Sequence, residues 1–555
     1  MLLTESGLIF RGVRPLLRLG SATKNMAIGE LLPQLTLTQC VMGMAAPRVP
    51  GQLRIVPPDA WPGDAERGRD MVAGIFRFAG QSIEKENLSW EPEGAQPEWI
   101  AALHGFEWLR DLRSAGGDKA RRMAREMVAL WIDQYPKYEE TAWRADIMGA
   151  RLTAWIAFHD FFCASADETF RKNYFSSLSR QARYLSKNLP GELTGMPLMR
   201  ALRGLAYSGL ALEDGDKRLE QAFGIILEQI NEQILADGAH ISRSPRNTFE
   251  FLQCLVDLRT ALIAAKVELP EEIQHAIDRI TPAVKFFRHG DGGLAQFNGG
   301  QEGNAHLCEV TLMHSGARGK AAKSLQQCGY ERLCQGRSSL IMDTGVSLSS
   351  SYSDRAHAGL LSFEYSYGRD RVFVNCGTSE VDGKWRRVLR STLAHSTLIV
   401  DNRNACCFDG ESPFSSNPNL QSKRHEDDHI LAVEGTHDGY VPRFGLTYRR
   451  LTQLQEQGEV LCGEERLTGR SGVPFTVRFH LHPDIQASPG ESGILLRSKS
   501  GMSWRFRAAG VDAAIEESIY VSEDENPVPS LQIVLTGRTD TSPTTIGWEM
   551  RREKV

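Results

Sequence analysis

The sequence predicts an α+β multidomain chain, a helical N-terminal domain followed by an antiparallel β-sandwich. Three observations predict it. At 555 residues the chain exceeds one ordinary core. From about Ala65 to Phe287 apolar residues recur at helical spacing, and beyond Gly290 short alternating segments separated by turn residues take over.

The elements follow in order. Residues 1–64 read as a turn-rich extension marked by Pro47, Pro50, Pro57, Pro58 and Pro62. Residues 65–289 form the helical domain. In "PEWIAALHGFEWLRDLRSAGG" Trp99, Leu103, Phe106, Leu109 and Leu112 keep helix spacing, and Gly116-Gly117 stop it. "DKARRMAREMVALWIDQYP" runs to Pro136, and six further segments continue to "PEEIQHAIDRITPAVKFF", roughly nine helices in hairpin succession. Such hairpins stack as a solenoid or close into an α/α toroid; no strict repeat is visible. Residues 290–555 open with the glycine-rich "HGDGGLAQFNGGQEGN" and continue as strands. In "FTVRFHLHP" Phe475, Val477, Phe479 and Leu481 share one face, which puts His480 and His482 on the other, toward solvent.

Hydrophobic content of 41% and charged content of 24% are those of a soluble globular protein. A net charge of −5 supplies no global reason to expect nucleic acid, although a local basic cleft remains open to an acidic polysaccharide. Ten scattered cysteines, with no C-x-x-C pair, suit a reducing compartment. Glu5, Arg11 and Arg14 interrupt any apolar signal run, and no stretch is long enough to span a membrane. The expectation is therefore a cytoplasmic protein, with the periplasm as the alternative. Oligomeric state is not readable.

The most informative stretch runs from Asp354 to Asn402. Three strand-like segments, Leu361–Tyr367, Arg371–Asn375 and Ser396–Val400, bring His357, Asn375 and His395 to one set of strand ends. Two imidazoles and an amide oxygen suit a divalent metal such as zinc, or a polar wall. Surface histidines and a turn asparagine are the plain alternative.

The ordered pattern "HAGLLSFEYSYG", "RVFVNCG" and "RSTLAHSTLIVDN" resembles the heparinase II/III-like polysaccharide lyases. In that family a "HAD-x-LSF" segment precedes a "DPGT"-like strand end and "R-x-T-x-AHNT". This chain departs from it at Gly359 and Asn375, where the family has Asp, and at Arg355, where it has His. Loss of a carboxylate weakens the metal reading, since a neutral amide is the poorer ligand. The resemblance implies an incomplete α/α toroid, a sandwich, and a cleft between them that takes a uronate-containing acidic polysaccharide.

Lyase chemistry on a uronide removes the proton beside the carboxylate and expels the 4-linked oxygen. The site must neutralise the carboxylate, place a base and protonate the leaving group. "LADGAHISRSPRN" matches the family segment that meets the carboxylate, so the resemblance puts His240 there with Arg243 beside it and Asn247 assisting. Read alone, the segment is an exposed helix-connecting loop. The family's catalytic Tyr has no counterpart near Phe297; Tyr352 is the first substitute, ahead of Tyr207 and His289, and Arg355 stands at the base position. Trp143, Arg144, Arg151, Trp155, His104 and Trp108 are cleft or packing candidates, and Arg390 belongs to a basic run with Trp385, Arg386 and Arg387. The competing functions are a glycoside hydrolase, which needs two carboxylates across the cleft, and a non-catalytic binder of acidic polysaccharide.

Overall fold

The computed structural model describes residues 50–84, 89–346, 348, 350–352, 355–379, 383–406, 418–427, 430–522 and 526–553. Most of the N-terminal extension, Asp354, Cys40 and Cys407 lie outside them. Residues 50–64 are extended along the helices: Arg54 N–H donates to Ala211 O, and the Trp61 indole donates to Asp257 at 2.5 Å.

Helices then follow one another in the predicted order. The stretch read as one helix from Pro97 breaks at Phe106 into Pro97–Gly105 and Leu109–Ala115, and the one from Arg144 breaks at Phe158 into Ala145–Ala157 and His159–Cys163. Ile75–Phe78 and Gln81–Glu84 form a two-stranded hairpin inside the stretch read as helical. Ala79 and Gly80 both have positive φ (46° and 71°), the backbone of a tight two-residue hairpin turn. The remaining helices make an incomplete toroid around one apolar core that includes Trp99, Trp131, Trp155, Phe251 and Phe287. Helices Ala145–Ala157 and Gly195–Ala211 cross backbone to backbone. A Cβ on Gly204 would lie 2.3 Å from Gly149 O, and one on Gly149 would lie 2.4 Å from Arg200 O.

The helical domain runs further than the predicted boundary at residue 290. Leu294, Ala295 and Phe297 of the glycine-rich stretch are buried in the helical core. Helix Ala305–Ser315, capped by the Asn304 side chain and ended by Gly316 in the left-handed region, adds Cys308 and Leu312 to it. Glycine content made these residues look like a linker. Their apolar residues pack instead.

Strands begin at Ser324–Leu325. One antiparallel sheet has eight strands, from Ile485–Gly490 at one edge through Thr544–Arg552, Val460–Gly469 and Leu446–Gln455 to Leu420–Glu426 at the other. The second contains Tyr330–Gln335, Ser338–Asp343, Phe363–Tyr367, Asp370–Val374 and Pro474–Leu481 in its centre. Leu446–Gln455 alternates buried and half-buried residues throughout, as a strand covered on one face should. Ser338–Asp343 and Phe363–Tyr367 are buried at every position. This sheet is covered on both faces, and that corrects the reading of His480 and His482. His480 is buried, with Nε2 on Leu393 O at 2.9 Å and Nδ1 on Ser518 Oγ at 2.8 Å. His482 lies against Tyr520 and Glu302.

Buried ion pairs join the two domains. Arg243 of the helical domain pairs with Asp343 of the central sheet. Arg371 of the sheet pairs with Asp291 at 2.7 Å and lies 3.4 Å from Glu302. His289 Nε2 meets Glu364 at 2.9 Å. Replacing Gly204 with Ala is expected to lower stability by ~3 kcal/mol, because the crossing backbones must separate; equilibrium denaturation of the two proteins measures it.

Candidate functional site

Helix Asp216–Gln233 ends just before the segment that carries His240. Asp237-Gly238 turns the chain, with φ of +87° at Gly238, and a Cβ there would lie 2.0 Å from Arg279 O. The next helix, Pro245–Ala265, starts as predicted: Ser244 caps it and Pro245 holds its first position.

The loop between is not exposed. His240 is fully buried, and both ring nitrogens are bonded inward. Nδ1 accepts from Ser242 N–H at 3.0 Å, so the proton sits on Nε2, which donates to Gln233 Oε1 at 2.8 Å. Burial, with Arg355 adding to it, lowers the His240 pKa to about 3, so the ring is neutral near pH 7. Tyr352 stands edge-on to it, 5.9 Å between ring centres, and its hydroxyl donates to Glu232 at 2.6 Å. Burial and then that carboxylate push the phenol well above its ordinary value.

A basic group lies beside this pair. Glu250 accepts from Arg246 at 2.7 Å and from Arg200 at 3.0 Å, and Arg246 also donates to Gln301. Burial raises the Glu250 pKa, but Arg246, Arg200 and Arg355 outweigh it and hold the carboxyl down to about 2. Arg200 and Arg246 thus bond Glu250, and Arg355 is close enough to act on its charge.

On the sandwich side, His357, Asn375 and His395 do come to one region, as predicted. The two histidines form a closed hydrogen-bond chain. His395 Nδ1 donates to Ser391 O at 2.7 Å, which leaves Nε2 to accept from His357 Nδ1 at 3.1 Å. His357 Nε2 accepts from Gly299 N–H at 3.2 Å. Burial lowers both pKa values, that of His395 to about 4 and that of His357 well below its ordinary value, with His395 and Arg390 adding to the latter. The Asn375 amide accepts from Ser396 N–H and donates to Gln296 O. Every ring nitrogen is therefore occupied, and among the described residues no group of three His, Cys, Asp or Glu side chains is placed to hold a metal. The donors as they stand do not fit a resident cation. Gly359 makes the chain possible, because a Cβ there would lie 2.6 Å from His395 Cδ2.

Several expected ligand-binding side chains have other work. Arg243 is buried and ion-paired to Asp343; its Nε donates to Cys328 O at 2.7 Å, and it lies over the Tyr330 ring. It ties the loop to the sandwich. Asn247 is buried and donates to Ser242 Oγ at 3.0 Å. Trp143 is core, edge-on to Tyr184, while Arg144 pairs with Asp146 at 2.7 Å. His104, Trp108, Arg151 and Trp155 are likewise buried in the helical domain, as are Tyr207 and His289. Arg390 donates to Ala356 O at 2.8 Å, fixing the turn before His357. Of the three catalytic candidates, His240 and Tyr352 meet, and Arg355 is close enough to depress the histidine. Sequence reasoning missed Glu232, Arg200, Glu250 and Asp343. The Arg246/Glu250 spacing of four on a helix was the available signal.

Residues 69–310 match the family profile described as "Heparinase II/III N-terminus", and residues 317–549 match "Heparinase II/III-like, C-terminal". The chain belongs to the heparinase II/III-like family. "FtsZ-localized protein C" of Caulobacter vibrioides is 29% identical over 504 residues, 86% of each chain. "Heparin-sulfate lyase" of Bacteroides thetaiotaomicron is 22% identical over 222 residues, 36% of this chain and 31% of that one. The crystal structure of heparinase III superposes with a TM-score of 0.72 at 15% identity, covering 93% of this chain and 89% of that one. The heparan sulfate lyase HepC of Pedobacter heparinus superposes at 0.57 with 14% identity, covering 90% and 85%. Both superpositions establish the fold of this heparinase II/III-like chain; its structural relatives are polysaccharide lyases.

Two predictions follow from the buried groups. His240 and His395 have folded pKa values of about 3 and 4, below the ~6.5 of an unfolded histidine. Their contribution is full above pH ~6.5 and is lost as pH falls through the folded values, because the unfolded chain takes up protons first. The denaturant midpoint should fall as pH is lowered from 7 to 4, and fall less in His395→Gln. Asp343→Asn leaves Arg243 buried without its counter-charge, at a cost of about 3–5 kcal/mol; calorimetry of the variant measures it.

Proposed function

We propose that this heparinase II/III-like chain recognises a uronate-containing acidic polysaccharide beside the His240–Tyr352 pair. The observation that carries the reading is the clustering of Arg200, Arg246 and Arg355 about Glu250, beside the His240–Tyr352 pair. Planar guanidinium groups suit carboxylate and sulfate esters. The recognition half of a uronate lyase is more complete here than the catalytic half. An acid–base catalyst works best with a pKa near the working pH, and both candidates are moved away from it: His240 down to about 3, Tyr352 well up. Departures at Arg355, Gly359 and Asn375 agree with this. So does the similarity to a protein named for its localisation with FtsZ.

Elimination is the second reading, favoured by the edge-on contact of His240 with Tyr352. In that reaction the substrate carboxylate would accept the His240 Nε2–H hydrogen bond in place of Gln233 Oε1. Glu232 would first take the Tyr352 phenol proton; the phenolate would then take the proton beside the carboxylate and pass it to the leaving oxygen, which returns Tyr352 to the phenolate state.

Binding and near-ultraviolet absorbance across a panel of uronate polymers separate the two. Recognition without elimination gives binding that weakens about tenfold or more in Arg246→Ala, with flat absorbance. Absorbance that grows with the native protein and stops in Tyr352→Phe establishes elimination. Absence of binding to every polymer overturns both readings.

A further inference from the structure

Arg151 is a buried cation without a counter-ion among the described residues. It lies on the inner helix Ala145–Ala157, is fully buried, and has no ion-pair partner among the described residues. Its bonds go to neutral acceptors: Nε donates to Gln181 Oε1 at 2.7 Å and Nη1 to His104 O at 2.9 Å. The guanidinium carbon lies 3.9 Å from the centre of the Trp131 ring. Nη2 has no acceptor. A buried charge is ordinarily paired, since the penalty for leaving it alone is several kcal/mol, and Arg does not shed its proton in proteins.

The neighbours sharpen the deficit. The Trp131 indole donates to His104 Nδ1 at 3.0 Å, so the neutral His104 ring carries its proton on Nε2. That N–H is buried and has no acceptor. Trp155, one helical turn from Arg151 and edge-on to Trp131 at 5.4 Å, has an indole N–H in the same state. Three side chains grouped around Trp131 thus leave donors, and only donors, unsatisfied. What the cluster lacks is an acceptor, and what Arg151 lacks is a negative charge. One small anion supplies both.

We propose that the helical domain holds a small monovalent anion of the chloride class at Arg151 Nη2, within the cluster that His104 and Trp155 form with it about Trp131. The site is separate from the His240–Tyr352 pair: among the described residues no hydrogen bond or ring contact joins Arg151, His104 or Trp155 to either. Its role is structural, fixing the inner helix through a charge that is replaced from solution.

The test is thermal unfolding of the native protein in sodium chloride, sodium bromide and sodium gluconate at equal ionic strength. Gluconate is too large for a buried site. The halides should raise the midpoint by ~2 °C or more relative to gluconate, and Arg151→Met should lose that difference. Equal midpoints in the three salts, or a halide shift that persists in Arg151→Met, overturns the proposal. Should the variant not fold, a bromide-soaked crystal of the native protein decides. Anomalous signal within hydrogen-bond distance of Arg151 Nη2 supports the site, and a water or nothing there overturns it.

Discussion

The Arg243–Asp343 ion pair is the constraint on which the site depends. Arg243 sits in the left-handed backbone region, φ of +63°, a conformation that a non-glycine residue holds only when its surroundings impose it. The surroundings are the sandwich: Asp343, Cys328 O and the Tyr330 ring on the side chain, and the Tyr330 hydroxyl on the Arg243 carbonyl at 2.9 Å. From Tyr330 the network continues to Asn298, which also accepts from His357 N–H at 3.0 Å. The helical loop and the histidine-bearing turn of the sandwich are thereby positioned by one set of bonds.

A second buried pair sets the other wall. Arg450 and Glu465, both fully buried, lie in the sandwich core, with the Tyr448 hydroxyl and the Trp548 indole also on Glu465. Arg450 Nη1 donates to Leu361 O and to Ser396 O, each at 2.8 Å. Those carbonyls follow His357 and His395 in the chain, so the sandwich core fixes how far apart the two imidazoles stand. With Gly359 leaving room for the His395 ring, the pair closes on itself as neutral donors and acceptors. The departure from the family pattern at Gly359 therefore makes room for a polar wall that is satisfied from within.

The sequence carried the order of elements well, because periodicity is a local property. Ser244 and Pro245 opened a helix where their chemistry requires one. The hairpin at Ala79-Gly80 and the helix at Ala305–Ser315 escaped notice because they are short and are stabilised by packing against the helical core. His480 was misplaced for a related reason. Alternation says which residues share a face of a strand, not whether that face is covered, and here the face is covered.

By itself the sequence determined the succession of helical and β domains and the family. Only the tertiary structure decided what the candidate site residues do. Arg243 and Asn247 became supports because their partners, Asp343 and Ser242, are brought to them by folding. His240 became a neutral, inward-facing ring because Gln233 meets its free nitrogen. Hydrogen-bond partnership and burial depend on residues distant in the chain, and those two quantities separate an available acid or base from a satisfied one.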